Sequence, residues 1–213
     1  MKLLQKELRL CLHPTAPMGL MLSAMVLIPN YPYLVSFFYT TLAIFFTCLQ
    51  GRENNDVLFT MTLPVSRGQL VRGRIALAAV MELAQVLLTV PMVFLRQRIN
   101  PAGNAAGMDA NLALIGYRLA FFGLFNLVFF SSYYKNVNQV GLSFLAASAV
   151  SFLLVGLDVV TSYAVPFIRQ MDTMSAEALP RQLWVLIGGG AVFALLTVLT
   201  VKIAQNGFEK QDL

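Results

Sequence analysis

Residues 112–132 read LALIGYRLAFFGLFNLVFFSS, a run whose single charge is Arg118. An α-helix rises 1.5 Å per residue, so this run is ~30 Å long and matches the hydrocarbon core of a bilayer. Its apolar residues are continuous and do not alternate with polar ones, which excludes a strand of a membrane β-barrel. Tyr133-Tyr134-Lys135-Asn136 closes it with interfacial aromatics and a charge. The stretch is read as a membrane-spanning helix.

Working outward, five further runs have the same character. They cover about 140–160, 75–95, 183–201, 33–50 and, shortest and interrupted by Pro14 and Pro17, Thr15 to Asn30. The expected fold is therefore all-α, a polytopic membrane protein with six spans in a single transmembrane domain over 1–213. Composition agrees: 12% of residues are charged and 58% hydrophobic, where a soluble domain carries about 25% charged residues. Spans and short connections consume the chain, leaving no length for a soluble catalytic domain.

Three segments lie between or before the spans. Residues 1–12 place Met1, Leu4, Leu8 and Cys11 on one helical face and Lys2, Gln5, Lys6 and Arg9 on another. This spacing fits an amphipathic helix lying in the interface, basic side toward headgroups; a frayed basic tail is the alternative. Glu7 and the two prolines argue against a signal peptide. Residues 51–74 form the most charged stretch, and 161–182 a longer connection that could be re-entrant.

Basic residues near span ends set the orientation. With the N-terminus inside, ten lie on the cytoplasmic side, and only Arg96, Arg98, Arg169 and Arg181 on the other. Positive residues concentrate inside, so both termini are expected in the cytoplasm. The formal charge of +5 is thus read against anionic headgroups, not nucleic acid. Cys11 and Cys48 both fall near the cytoplasmic face, where reducing conditions disfavour a disulfide.

Catalytic signals are scarce. His13 is the only histidine, so a paired-histidine metal site is impossible and a serine–histidine triad would have to use this one residue without a Gly-x-Ser-x-Gly elbow. Gly68 to Ile75, GQLVRGRI, lacks the lysine and the hydroxyl of a phosphate loop. No catalytic residue, metal or cofactor is assigned to this chain. Three charges fall inside spans, Glu82, Arg118 and Asp158, and intramembrane charges mark pairing or function. Depth favours an Arg118–Asp158 pair over Arg118–Glu82, with separate capping by water or headgroups as the alternative; Glu82 is the candidate for a polar cavity or a subunit interface. Gly188-Gly189-Gly190 permits close helix packing, within the protomer or at a dimer seam.

The informative segment is 51–75, GRENNDVLFTMTLPVSRGQLVRGRI. It reads as two short helices joined by Leu63-Pro64-Val65, the second opened by a Ser66–Gln69 capping box. Val57, Leu58 and Met61 share a face after the polar run Glu53, Asn54, Asn55, Asp56. Such a helix suits docking into a partner's groove, or packing on the protein's own spans.

A basic N-terminal helix, six spans, E-N-N-D…T-L-P-V-S-R…G-R between spans two and three, and F-E-K-Q-D at 208–212 together resemble the small permeases of type 2 ABC-transporter exporters. The chain is most similar to the bacterial permeases that export amphipathic peptide toxins, the phenol-soluble-modulin exporter class. The resemblance implies a permease that pairs with itself or a sister chain and binds two ABC-type ATP-binding subunits, which hold the ATP and Mg. It also implies that Glu53, Asn54, Asn55, Asp56, Val57, Leu58, Met61, Leu63, Pro64 and Arg67 form the coupling segment that contacts the ATPase. The rival readings are a non-transporting peptide-binding or immunity scaffold and, more remotely, an intramembrane enzyme.

Overall fold

In the computed structural model, residues 2–100, 103–173 and 175–210 are described. Met1 of the N-terminal face and Gln211 and Asp212 of the closing F-E-K-Q-D lie outside them. All regular structure among the described residues is helical. Among the described residues four helices are each long and apolar enough to cross a bilayer: α5 (Arg67–Ile99), α6 (Leu112–Tyr133), α7 (Val140–Ala164) and α9 (Leu179–Glu209). The remaining helices are α1 (Lys2–Lys6), α2 (Ala16–Met21), α3 (Val35–Glu53), α4 (Asp56–Met61) and α8 (Pro166–Met171). The chain is a polytopic membrane protein.

The N-terminal third departs most from the sequence reading. Residues 15–30 are not one helix: α2 gives way to a 3-10 segment, Leu22–Leu27. α1 passes into a π-helical turn, Glu7–Cys11, and the two stretches 3–11 and 16–27 meet at 92°. Together they make a fifth crossing only if the bent pair counts as one. The expected second span is α3, 19 residues long, whose last turn, Gln50-Gly51-Arg52-Glu53, is too polar for hydrocarbon.

The third span also starts earlier than expected. Ser66 caps α5 with the anticipated box: its side chain accepts from the Gln69 N–H at 3.2 Å, and its own N–H donates to the Gln69 side chain at 2.9 Å. The helix then runs unbroken through Arg72 and Arg74 into the membrane, so the second short helix of 51–74 is the first part of the span. α9 likewise continues to Glu209, past the expected end at Val201, because Phe208 is fully buried.

α6 is the axis of the bundle. In its apolar window 67% of residues are buried, against 11% for α9, whose outer face carries exposed Trp184, Leu195 and Val198. Its phenylalanines pack inward, with Phe121, Phe122, Phe125, Phe129 and Phe130 all buried. α9 lies directly on α6 because Gly116 and Gly189 meet: a Cβ on Gly189 would overlap the Gly116 carbonyl. This is the close approach that small residues allow between membrane helices. Gly188 has open space around its Cβ position. Two apolar clusters result, one around Phe129, Phe130 and Tyr133 and the other around Phe37, Leu114 and Phe122 at the opposite end.

The loop between α5 and α6 has an unexpected role. Residues 96–111 are polar and rich in glycine and asparagine, the composition of a loop; the structure continues α5 to Ile99 and buries Met108, Ala110 and Asn111 of the remainder. The Asn104 side chain donates to the Tyr31 carbonyl at 2.9 Å, the Asp109 N–H to the Asp172 carboxylate at 2.5 Å, and the Tyr163 hydroxyl to the Ala105 carbonyl at 2.5 Å. The loop is a plug over this end of the bundle.

Candidate functional site

The site is the 51–75 segment and what it touches. α3 ends at Glu53, and Asn55 reverses the chain in the left-handed region at φ 52°. Asparagine tolerates that conformation better than any residue but glycine. The reversal lays α4 across the end of the bundle. Val57 and Thr60 then face inward and are buried, Met61 packs half-buried on the same core, and Leu58 and Phe59 are 49% and 61% exposed.

Asp56, at the start of α4, is held by two cations. Lys6 Nζ lies 2.6 Å from one carboxylate oxygen and donates to Thr60 Oγ1 at 2.9 Å; the Arg74 guanidinium pairs with the other oxygen. Arg74 also pairs with Glu7 at 2.8 Å, and Lys6 with Glu7 at 3.2 Å. Arg74 and Glu7 are almost completely buried, at 3% and 1%. Burial acts to raise the Asp56 carboxyl, but the Lys6 hydrogen bond and the Arg74 and Lys6 charges outweigh it and hold it below its ordinary value. One connected charge cluster therefore joins α1, α4 and α5.

This arrangement revises the N-terminal reading. The π-helical turn shifts the register, so Glu7 points in and Leu8 stands 38% exposed. Lys6, placed on the headgroup face from sequence, turns inward to Asp56. The sequence reading assigns neither Glu7 nor Arg74 to the site; the available signal is a carboxylate in a basic helix and an arginine about two turns after the Ser66 cap. Phe59 was missed as well, because the face was drawn through Val57, Leu58 and Met61. Glu7, Cys11 and Asp56 lie within 4.8 Å of one another, a spacing that could hold a metal ion. Arg74 and Lys6 already occupy those carboxylates, and no metal is assigned.

The other expected contact residues divide. Glu53, Asn54, Leu63 and Pro64 are exposed. Arg67 is turned away from the surface, donating to the Phe208 and Glu209 carbonyls at 3.3 Å each and lying over the Phe208 ring at 5.8 Å. Cys11 and Cys48 are free thiols, both buried, and His13 stacks on Phe46 at 5.4 Å with Nδ1 2.8 Å from Thr15 Oγ1.

The chain matches the model of the ABC-2 family transporter proteins over residues 2–209. It belongs to that family. No curated protein and no solved structure matches it. As an ABC-2 permease it is the transmembrane subunit of an ABC transporter, and it works with an ABC-type ATP-binding partner.

The intramembrane charges of the permease do not pair with one another. Arg118 sits with its guanidinium 3.2 Å from the centre of the Phe37 ring, and its three nitrogens have no hydrogen-bond partner. Among the described residues it makes no ion pair with Asp158, the partner favoured on depth: Arg118 faces α3, while Asp158 turns toward the plug and accepts from the Met108 N–H at 3.5 Å. Glu82 is fully buried inside the protomer, accepting from the Asn126 side chain at 2.8 Å.

Proposed function

We propose that this permease is the membrane subunit of an ATP-driven exporter in a bacterial cell membrane, with both termini cytoplasmic. It pairs with a second permease and moves amphipathic peptides or other hydrophobic cargo outward, energised by two ATP-binding subunits that carry the nucleotide and Mg. The observation that supports the coupling role is the two-sidedness of α4. One side offers an exposed apolar pair, Leu58 and Phe59, with Glu53 62% exposed just before it. The other side is fastened through Asp56 to Arg74 and Lys6. A push on the exposed side is carried to α1 and to the long helix α5 through these charges as well as through the packing of Val57 and Met61. ATP binding then biases the permease between inward- and outward-open states by its differential affinity for them.

The test is copurification from the native membrane in mild detergent. A near-stoichiometric protein carrying a phosphate loop is expected with the wild-type chain and is lost on Leu58→Asp/Phe59→Asp, while the thermal stability of the permease is retained. Retention by that variant would remove α4 as the docking helix. Absence of any such protein with the wild-type chain, under conditions that preserve a known exporter complex, would favour the peptide-binding scaffold.

A further inference from the structure

Between α6 and α7, capped by Ile168 of α8, lies a cavity of about 310 Å3, within the size range of small-ligand sites. Its walls are apolar, formed by Leu34, Ala120, Phe121 and Leu154 among others. Leu157 lines the cavity and is 55% exposed, so the cavity opens on the outer surface of the bundle.

Asp158 is the carboxylate of this cavity, whose lining also includes the hydroxyl side chains of Tyr117 and Thr161. Asp158 is 6% exposed; among the described residues its Oδ2 accepts only the long bond from the Met108 N–H, and its Oδ1 has no hydrogen-bond partner. Oδ2 also presses on Gly107, whose φ of 139° and missing Cβ let the backbone pass close to the carboxylate. Arg118, on the same helix as the cavity wall, is held over Phe37 instead of reaching Asp158. A carboxylate with an unused acceptor in hydrocarbon surroundings is costly, and a cation that donates to it lowers that cost. An apolar wall extending from that carboxylate fits an alkyl chain.

We propose that this cavity binds a cationic amphiphile, an aliphatic chain bearing one primary ammonium, with Asp158 as its counter-ion. The ammonium donates to Asp158 Oδ1, and the chain lies along Ala120, Phe121 and Leu154 toward the lipid. Export of such a compound rests on the transporter reading above; binding of it stands on the cavity alone and needs no ATPase.

The experiment uses the full-length permease in phosphatidylcholine nanodiscs with tritiated dodecylamine, counts being corrected against protein-free discs. Wild-type protein is expected to show one saturable site, and unlabelled dodecanol and dodecanoate to compete roughly tenfold or more weakly than unlabelled dodecylamine, the size expected for one charge-assisted hydrogen bond. Asp158→Asn keeps the acceptor for Met108 and loses that preference. Ala120→Phe fills the cavity and removes the saturable component; thermal unfolding of both variants checks that they are folded. No saturable site in the wild type, equal competition by amine and alcohol, or unchanged amine binding in a folded Asp158→Asn would overturn the assignment. Tighter binding of dodecanoate would overturn it too, since the carboxylate would then be read by Arg118.

Discussion

Replacing Arg74 by methionine tests the charge cluster most directly. The substitution keeps an unbranched side chain of similar length and removes the more buried of the two cations, Arg74 and Lys6, that contact both Glu7 and Asp56. Glu7 is 1% exposed, so its carboxylate is left in a desolvated position with only Lys6 at 3.2 Å. Removing one partner of a buried ion pair costs ~3–5 kcal/mol. Lys6 stays bound to Asp56 at 2.6 Å, which places the expectation at the low end, ~3 kcal/mol. At roughly 2–4 °C per kcal/mol for a chain of this size, Tm should fall by ~6–12 °C. Glu7→Gln in the same background removes the stranded charge, so the double variant should be more stable than the sum of the two single changes by ~1–2 kcal/mol. The assay is thermal unfolding of detergent-solubilised protein at pH 7 for wild type, both single variants and the double variant. A drop of under about 2 °C in Arg74→Met, or strict additivity in the cycle, would refute the view that these charges form one unit.

Other outcomes follow from the same geometry. Asp56 is held below its ordinary value, so it contributes stability above the unfolded carboxylate range, and this is lost as pH falls through its folded value; Asp56→Asn should flatten the acid limb of a Tm–pH profile. Asp172 has the opposite sign: burial first, then the charges of Asp109 and Asp158, push it up to about 7 against the Asp109 N–H bond. Its ionisation costs stability increasingly as pH rises from about 4 to 7, so Asp172→Asn, which still accepts from the Asp109 N–H, should raise Tm at pH 8 and lose that advantage at pH 4. Asn55→Gly should preserve Tm, while Asn55→Ala, forced into the left-handed region, should lose ~1 kcal/mol, read in the same unfolding assay. Gly189→Leu must part α6 from α9 and should lower Tm sharply, whereas Gly188→Leu, with open space around it, should leave Tm nearly unchanged.

The long helices were legible because hydrophobic runs and their polar ends are local signals. Residues 112–132 needed no tertiary information, and the Ser66–Gln69 box was readable from two residues three apart. What failed to show was whatever depended on contacts distant in sequence. Arg72 and Arg74 look alike from sequence and suggest a soluble loop, but Arg72 is exposed and Arg74 is consumed by carboxylates 67 and 18 residues earlier in the chain. Glu7 reads as an interruption of a basic helix until the π-helical turn brings it under Arg74. Asp158 and Arg118 have compatible depths, yet depth says nothing of the face on which each side chain leaves its helix, and they leave on different ones. The 103–111 plug has the glycine and asparagine content of a loop, and its burial depends on hydrogen bonds to residues far away in the sequence.

That plug binds three separate connections of the chain: 30–31 through Asn104 and Ala105, the end of α7 through Tyr163, and the turn after α8 through Asp172. The stretch a protein engineer would choose first for an epitope or a reporter cysteine is thus the keystone of one end of the molecule. A tag placed there would loosen the start of α3, the end of α7 and the approach to α9 together. The exposed turn at Leu63-Pro64, tied by the local backbone bonds from Leu63 to Thr60 and from Val65 to Leu63, offers a label far less leverage over the spans.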